Sequence, residues 1–114
     1  MPVQYPNREA RRERLRRELR DIVARIVDPD TEKIFLFGST VRGTVRSTSD
    51  LDLLVVRRDS RPLGTRADDL YRRANPRVAL DLLVYTPEEF EAERARSSFL
   101  RTALRDAEVV YERS

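Results

Sequence analysis

The chain contains neither cysteine nor histidine. Without cysteine, disulfides, thiolate nucleophiles and thiolate zinc sites are excluded. Without histidine, imidazole bases and histidine-held metals are excluded as well. Any metal must then be held by oxygen, which selects hard cations such as magnesium or manganese. Lysine is nearly missing, with Lys33 the sole one among 23 cationic residues. Glycine is scarce: there are three, and two of them, Gly38 and Gly43, fall in one short segment. No stretch approaches the run of about 20 apolar residues that crosses a bilayer. The first residues, Met1-Pro2-Val3-Gln4-Tyr5, lack the apolar core of a signal peptide. The expectation is a soluble cytoplasmic protein that does not engage a membrane.

What is present points to one domain spanning residues 1–114, with 39% apolar and 38% charged residues. A chain of that length buries roughly two-thirds of its unfolded surface, which supports one core. Residues 7 to about 27 read as an amphipathic helix, capped by Asn7, with Leu15, Leu19, Ile22, Val23 and Ile26 at helical spacing. Residues 1–30 thus supply a helix expected to pack on the rest. Its first half carries seven arginines against three glutamates. That pattern is either a solvated face laced by pairs such as Glu13 with Arg17, or a docking surface for an acidic partner or RNA. Ile34-Phe35-Leu36-Phe37 reads as a strand, and Asp50 to Val56 as a second. A helix is expected over 61–75 and a third strand over 78–85. Thr86-Pro87-Glu88-Glu89 is a capping box opening another helix. A last helix over 97–106 and a closing strand at 109–111 complete a layered α/β domain.

The chemistry concentrates in Phe37-Gly38-Ser39, ten further residues, then Asp50-Leu51-Asp52. On a strand, Asp50 and Asp52 project from one face while Leu51 and Leu53 point to the other. Two adjacent carboxylates repel unless a cation lies between them. A third acid, Asp81, interrupts the apolar run Ala79 to Val84, where a charge is rarely left uncompensated. If the strands are neighbours, three carboxylates converge. Such a set can hold two metals roughly 3.5–4 Å apart, the geometry of in-line phosphoryl transfer. Gly38 permits a close backbone approach. Ser39 and Thr40 can cap a short helix whose N–H groups face a phosphate, and Arg42 and Arg46 can add charge against a triphosphate. Each part also has a plain structural reading. Gly38-Ser39 can be a turn ending a strand, Asp50 and Asp52 a cap or surface pair, and Asp81 a partner for Arg72 or Arg77.

The whole pattern, Gly38-Ser39-x10-Asp50-x-Asp52, resembles the signature of the DNA polymerase β-type nucleotidyltransferase superfamily. The stretch GSTVRGTVRSTSDLDLLVV is similar to the minimal nucleotidyltransferase (MNT) branch. The likeness continues through Asp81, Thr86 to Phe90, Ser98-Phe99-Leu100 and Glu108 to Tyr111. It implies a mixed β-sheet flanked by helices, two magnesium ions, and ATP or another NTP as donor. By the same resemblance Asp50 and Asp52 ligate both metals. Asp81 ligates the catalytic metal and helps deprotonate the attacking hydroxyl, while Gly38 and Ser39 contact the donor's phosphates. Relatives of this size pair with HEPN-domain toxins, which the MNT antitoxin modifies with AMP on a tyrosine. The resemblance therefore implies a HEPN protein as partner and protein adenylylation as the reaction. A homo- or hetero-oligomer is compatible with it.

Two other classes compete. A non-catalytic antitoxin would neutralise a HEPN partner by contact alone, with the acids idle. An RNA-binding protein would exploit the basic surplus, but the net charge is only +3 with 20 acidic residues interspersed. The eight aromatics are not interleaved with the arginines as nucleic-acid binding prefers.

Overall fold

A computed structural model describes residues 4–38 and 49–114 of the chain. The elements run α1 (Gln4–Ile26), β1 (Thr31–Leu36), β2 (Leu51–Arg57), α2 (Leu63–Ala74), β3 (Leu80–Tyr85), α3 (Pro87–Arg96), α4 (Ser98–Arg105) and β4 (Glu108–Glu112). The four strands form one sheet in the order β3-β2-β1-β4. Strand β1 runs antiparallel to β2 and to β4, while β2 and β3 are parallel. The sheet is therefore mixed, as the resemblance implied. Among the described residues no helix is long and apolar enough to cross a membrane.

Helix α1 starts at Gln4, ahead of the expected cap at Asn7. Pro6 is no obstacle there, because the N–H groups of the first turn have no partner within a helix. The expected Glu13–Arg17 ion pair is not formed; α1 instead makes long-range pairs, Arg11 with Asp50 and Arg16 with Glu108. Strand β1 begins three residues earlier than the apolar run suggests, at Thr31. Thr31 is fully buried, and its hydroxyl accepts from the Asp28 N–H at 3.0 Å. A polar strand start is thereby satisfied internally.

The capping box holds as the sequence suggests. The Thr86 hydroxyl accepts from the Glu89 N–H at 3.1 Å, and the Glu89 carboxylate accepts from the Thr86 N–H at 2.9 Å. The same carboxylate pairs with Arg66 of α2 at 2.5 and 3.0 Å, so one residue caps α3 and ties it to α2. Helix α2 ends at Asn75, whose left-handed φ of 43° turns the chain toward β3.

Every residue of β2 is buried, because helices cover both faces and strands flank both sides. Leu51, Leu53 and Val55 pack with Leu19, Ile22 and Ile26 of α1 and Leu70 of α2. Leu54 and Val56 pack on the other face with Phe35, Phe90 and Leu100. The rings of Phe35 and Phe90 stack at 5.6 Å. The chain ends of this sandwich are held by charge. Arg57, at the far end of β2, donates to Asp28 and Asp59, each at 2.5 Å. Burial alone would raise the Asp28 carboxyl, but hydrogen bonds from Arg57, the Asp30 N–H and Arg73 outweigh it and hold the pKa near about 2.

Candidate active site

One end of the sheet gathers the C-terminal end of β1 and the N-terminal ends of β2 and β3. This follows from topology alone, since β1 is antiparallel to β2 and β2 is parallel to β3. Asp52 is the second residue of β2 and Asp81 the second of β3, and the two are direct partners in the ladder. Partners in register point to the same face of a sheet, on strands roughly 4.8 Å apart. That face is the one bearing Leu54 and Val56, on the side of α3 and α4.

The Ser49 hydroxyl joins the pair, at 2.8 Å from Oδ1 of Asp52 and 3.3 Å from Oδ2 of Asp81. Their surroundings differ. Asp52 is only 6% exposed, enclosed by strands on both sides. Asp81 is exposed, because β3 is the edge strand. The cost of a buried charge, expected at Asp81, thus falls on Asp52. Neither Arg72 nor Arg77 pairs with Asp81. The Arg77 N–H donates instead to Glu18 of α1 at 2.7 Å.

Asp50 stands apart from this arrangement. It precedes β2, and its backbone N–H and that of Leu51 both reach the Ala79 carbonyl, at 2.8 and 3.1 Å. Strand alternation therefore does not govern it. Its carboxylate accepts from the Ala79 N–H at 3.0 Å and from Arg11 of α1 at 2.6 Å. Among the described residues no three acidic side chains form a metal-sized cluster. The structure brings Asp52 and Asp81 together and leaves Asp50 engaged by Arg11 beside them.

Gly38 lies at this same end, one residue past the bond from the Phe37 N–H to the Asp52 carbonyl, 3.0 Å long. Ser39, Thr40, Arg42 and Arg46 lie outside the described residues. Two participants escaped the sequence. Ser49 carried a local signal, three residues before Asp52 in a polar segment. Arg11 carried none, since 39 residues separate it from Asp50.

A cavity of about 320 Å³ adjoins Asp50, between α1 and the sheet, with Arg8, Arg11, Arg12, Leu15, Leu36 and Leu51 in its wall. A larger one, about 630 Å³, lies around Lys33, Phe35, Val56, Phe90 and Arg94 and includes none of the three acids. Size is therefore no guide to the chemistry here.

A mixed sheet with helices on both faces, presenting paired carboxylates at the starts of two parallel strands, places the chain among α/β proteins with an oxygen donor set at one sheet end. Within that class the chain belongs to the nucleotidyltransferase domain family, whose sequence pattern matches residues 16–112. No curated protein matches the sequence. In structure it is similar to a candidate nucleotidyltransferase from Sulfolobus solfataricus, with 25% identity and a TM-score of 0.56 over 85% of this chain and 79% of that one. Lower similarity is found to a toxin–antitoxin complex with AMP-PNP, at 20% identity and a TM-score of 0.45, covering 86% of this chain and 73% of that one. A tri-AMPylated Shewanella oneidensis HEPN toxin in complex with MNT antitoxin matches at 20% identity and a TM-score of 0.40, covering 89% and 69%.

Proposed function

We propose that this chain transfers AMP from ATP to a hydroxyl of a HEPN-type partner protein, as the antitoxin of a toxin–antitoxin pair. The observation that carries the transfer is the in-register placement of Asp52 and Asp81 beside Gly38. Membership of the nucleotidyltransferase family supports an NTP as donor. The resemblance of residues 38–56 to the MNT branch supports the partner and the adenylyl group.

The donor set fits a hard divalent cation, because two carboxylates and a serine hydroxyl meet with no nitrogen or sulfur ligand among them. Magnesium would be held by Asp52 and Asp81, joined by Asp50 when Arg11 withdraws. Bound there, it would draw charge from the phosphate oxygens and favour attack of the acceptor hydroxyl on the α-phosphate, with pyrophosphate as the leaving group. The rest belongs to the chain itself. Asp81, exposed on the edge strand, would take the proton of an incoming hydroxyl at Oδ2. The Ser49 hydroxyl holds Oδ1 of the buried Asp52 in a fixed direction. Gly38 lets backbone come close to the donor's phosphates, with Ser39, Thr40, Arg42 and Arg46 following it in the chain.

The test is label transfer from α-labelled ATP to a co-expressed HEPN partner in magnesium. Changing Asp50 and Asp52 to Asn should abolish transfer while far-UV circular dichroism stays unchanged. If that variant labels the partner as well as the parent does, the transferase reading is wrong. If it transfers nothing yet still neutralises the partner, contact alone accounts for the antitoxin effect.

A further inference from the structure

Helix α1 carries more arginine than its packing requires, and the structure shows where that charge is directed. The groove between α1 and the ends of β1 and β2 has an arginine rim of Arg8, Arg11 and Arg12 over a leucine floor of Leu15, Leu36 and Leu51. Arg11 already grips a carboxylate, that of Asp50 at 2.6 Å. Arg16, at the same groove, holds the Glu108 carboxylate through two bonds of 2.9 and 3.1 Å. Arg8 and Arg12 have no carboxylate partner among the described residues. Arginines of this groove thus hold carboxylates twice, and Arg8 and Arg12 remain as two further cations.

We infer that this groove docks an acidic polypeptide segment of the acceptor protein, one alternating carboxylates with aliphatic side chains. Its role in delivering an acceptor rests on the transferase reading above; its binding does not. Carboxylates of the segment pair with Arg8 and Arg12, and its apolar side chains cover the half-buried Leu15 and Leu36. Arg11 connects the groove to chemistry, because it bridges the rim and Asp50. A segment seated there lies beside Asp50, on the α1 side of the sheet, with Asp52 and Asp81 on the other face of the same sheet end. An RNA strand fits less well: no aromatic side chain is among the described residues of the wall, and single strands draw much of their affinity from base stacking. The leucine floor would then face phosphates and sugars.

Fluorescence anisotropy on the full chain tests this without nucleotide or metal. The probes are a short labelled peptide alternating Glu with Leu, the same peptide with Gln for Glu, and a single-stranded RNA of matching charge. The peptide should bind, and the Gln version and the RNA should bind more weakly. Arg8→Glu with Arg12→Glu should weaken the acidic peptide by at least about tenfold. Arg14→Glu with Arg17→Glu, the same charge change on exposed positions away from the groove, should stay within about twofold of the parent. Equal losses in both variants would reduce the effect to net charge and overturn the site. No peptide binding by the parent, or tighter binding of the RNA, would overturn it too. Because neither ATP nor magnesium is present, a failed docking leaves the transferase reading standing. Conversely, an inactive enzyme that still binds the peptide through Arg8 and Arg12 leaves the docking standing.

Discussion

Asp52 and Asp81 place two like charges on one face of adjacent strands, an arrangement a fold selected for stability would avoid. The Ser49 hydroxyl is shared between the two carboxylates. A substitution at Asp81 should therefore separate function from stability. Asp81→Asn keeps the shape, removes one charge, and should lower nucleotidyl transfer by about 10²–10³-fold. Its urea midpoint should equal or exceed that of the parent, because the repulsion is gone. A lower midpoint would mean that the Asp81 charge serves the fold instead. Asp52 and Asp81 were both legible in the sequence as acids in apolar strands. Ser49 and Arg11 were not, because the bonds they make depend on where β3 and α1 come to rest.

At the scale of elements, Glu89 joins two jobs that the sequence showed only by half. The capping box was readable from Thr86 to Glu89, whereas the bridge to Arg66 requires α2 and α3 to meet across the end of β3. Hydrogen bonds from Arg66 and from the Thr86 N–H lower the Glu89 carboxyl from 4.5 to about 2. A carboxyl depressed in the folded state adds stability above its unfolded pKa and loses it as pH falls through the folded value. Thermal stability should therefore decline between about pH 5 and pH 2, with Asp28, also held near about 2, contributing in the same window. Glu89→Gln should flatten that decline in a series of calorimetric melts. Thr86→Ala removes the other half of the box and should cost about 1 kcal/mol in urea unfolding, with little dependence on pH. Boundaries were the less readable part. Thr31 to Lys33 look like loop residues, yet they pair with β2 and β4 because a neighbouring strand on each side satisfies their backbone.

For the whole molecule, both faces of β2 meet a helical layer, so one strand is shared by two cores. Leu54 is fully buried at the centre of the layer with Phe35, Phe90 and Leu100. Leu54→Ala should cost about 2–5 kcal/mol in urea unfolding, the transfer of the lost methyls plus the cavity they leave. That is a large share of the 5–15 kcal/mol typical of a domain. The site should suffer with it, because Asp52 is carried by the same strand two residues away.

The sequence alone determined the element order and the kinds of donor atom open to a site. Apolar periodicity sets helix against strand, and the lack of cysteine and histidine leaves oxygen as the only donor for a metal. It also pointed to Asp50, Asp52 and Asp81 as candidates near Gly38, since their spacing resembles a family pattern. Tertiary structure decided which acids meet. Parallel pairing of β2 with β3 in a register that sets Asp52 opposite Asp81 is a property of two strands more than twenty residues apart. The docking of α1 then turned Asp50 toward Arg11. Such contacts depend on register and packing, and neither is written in any local run of residues.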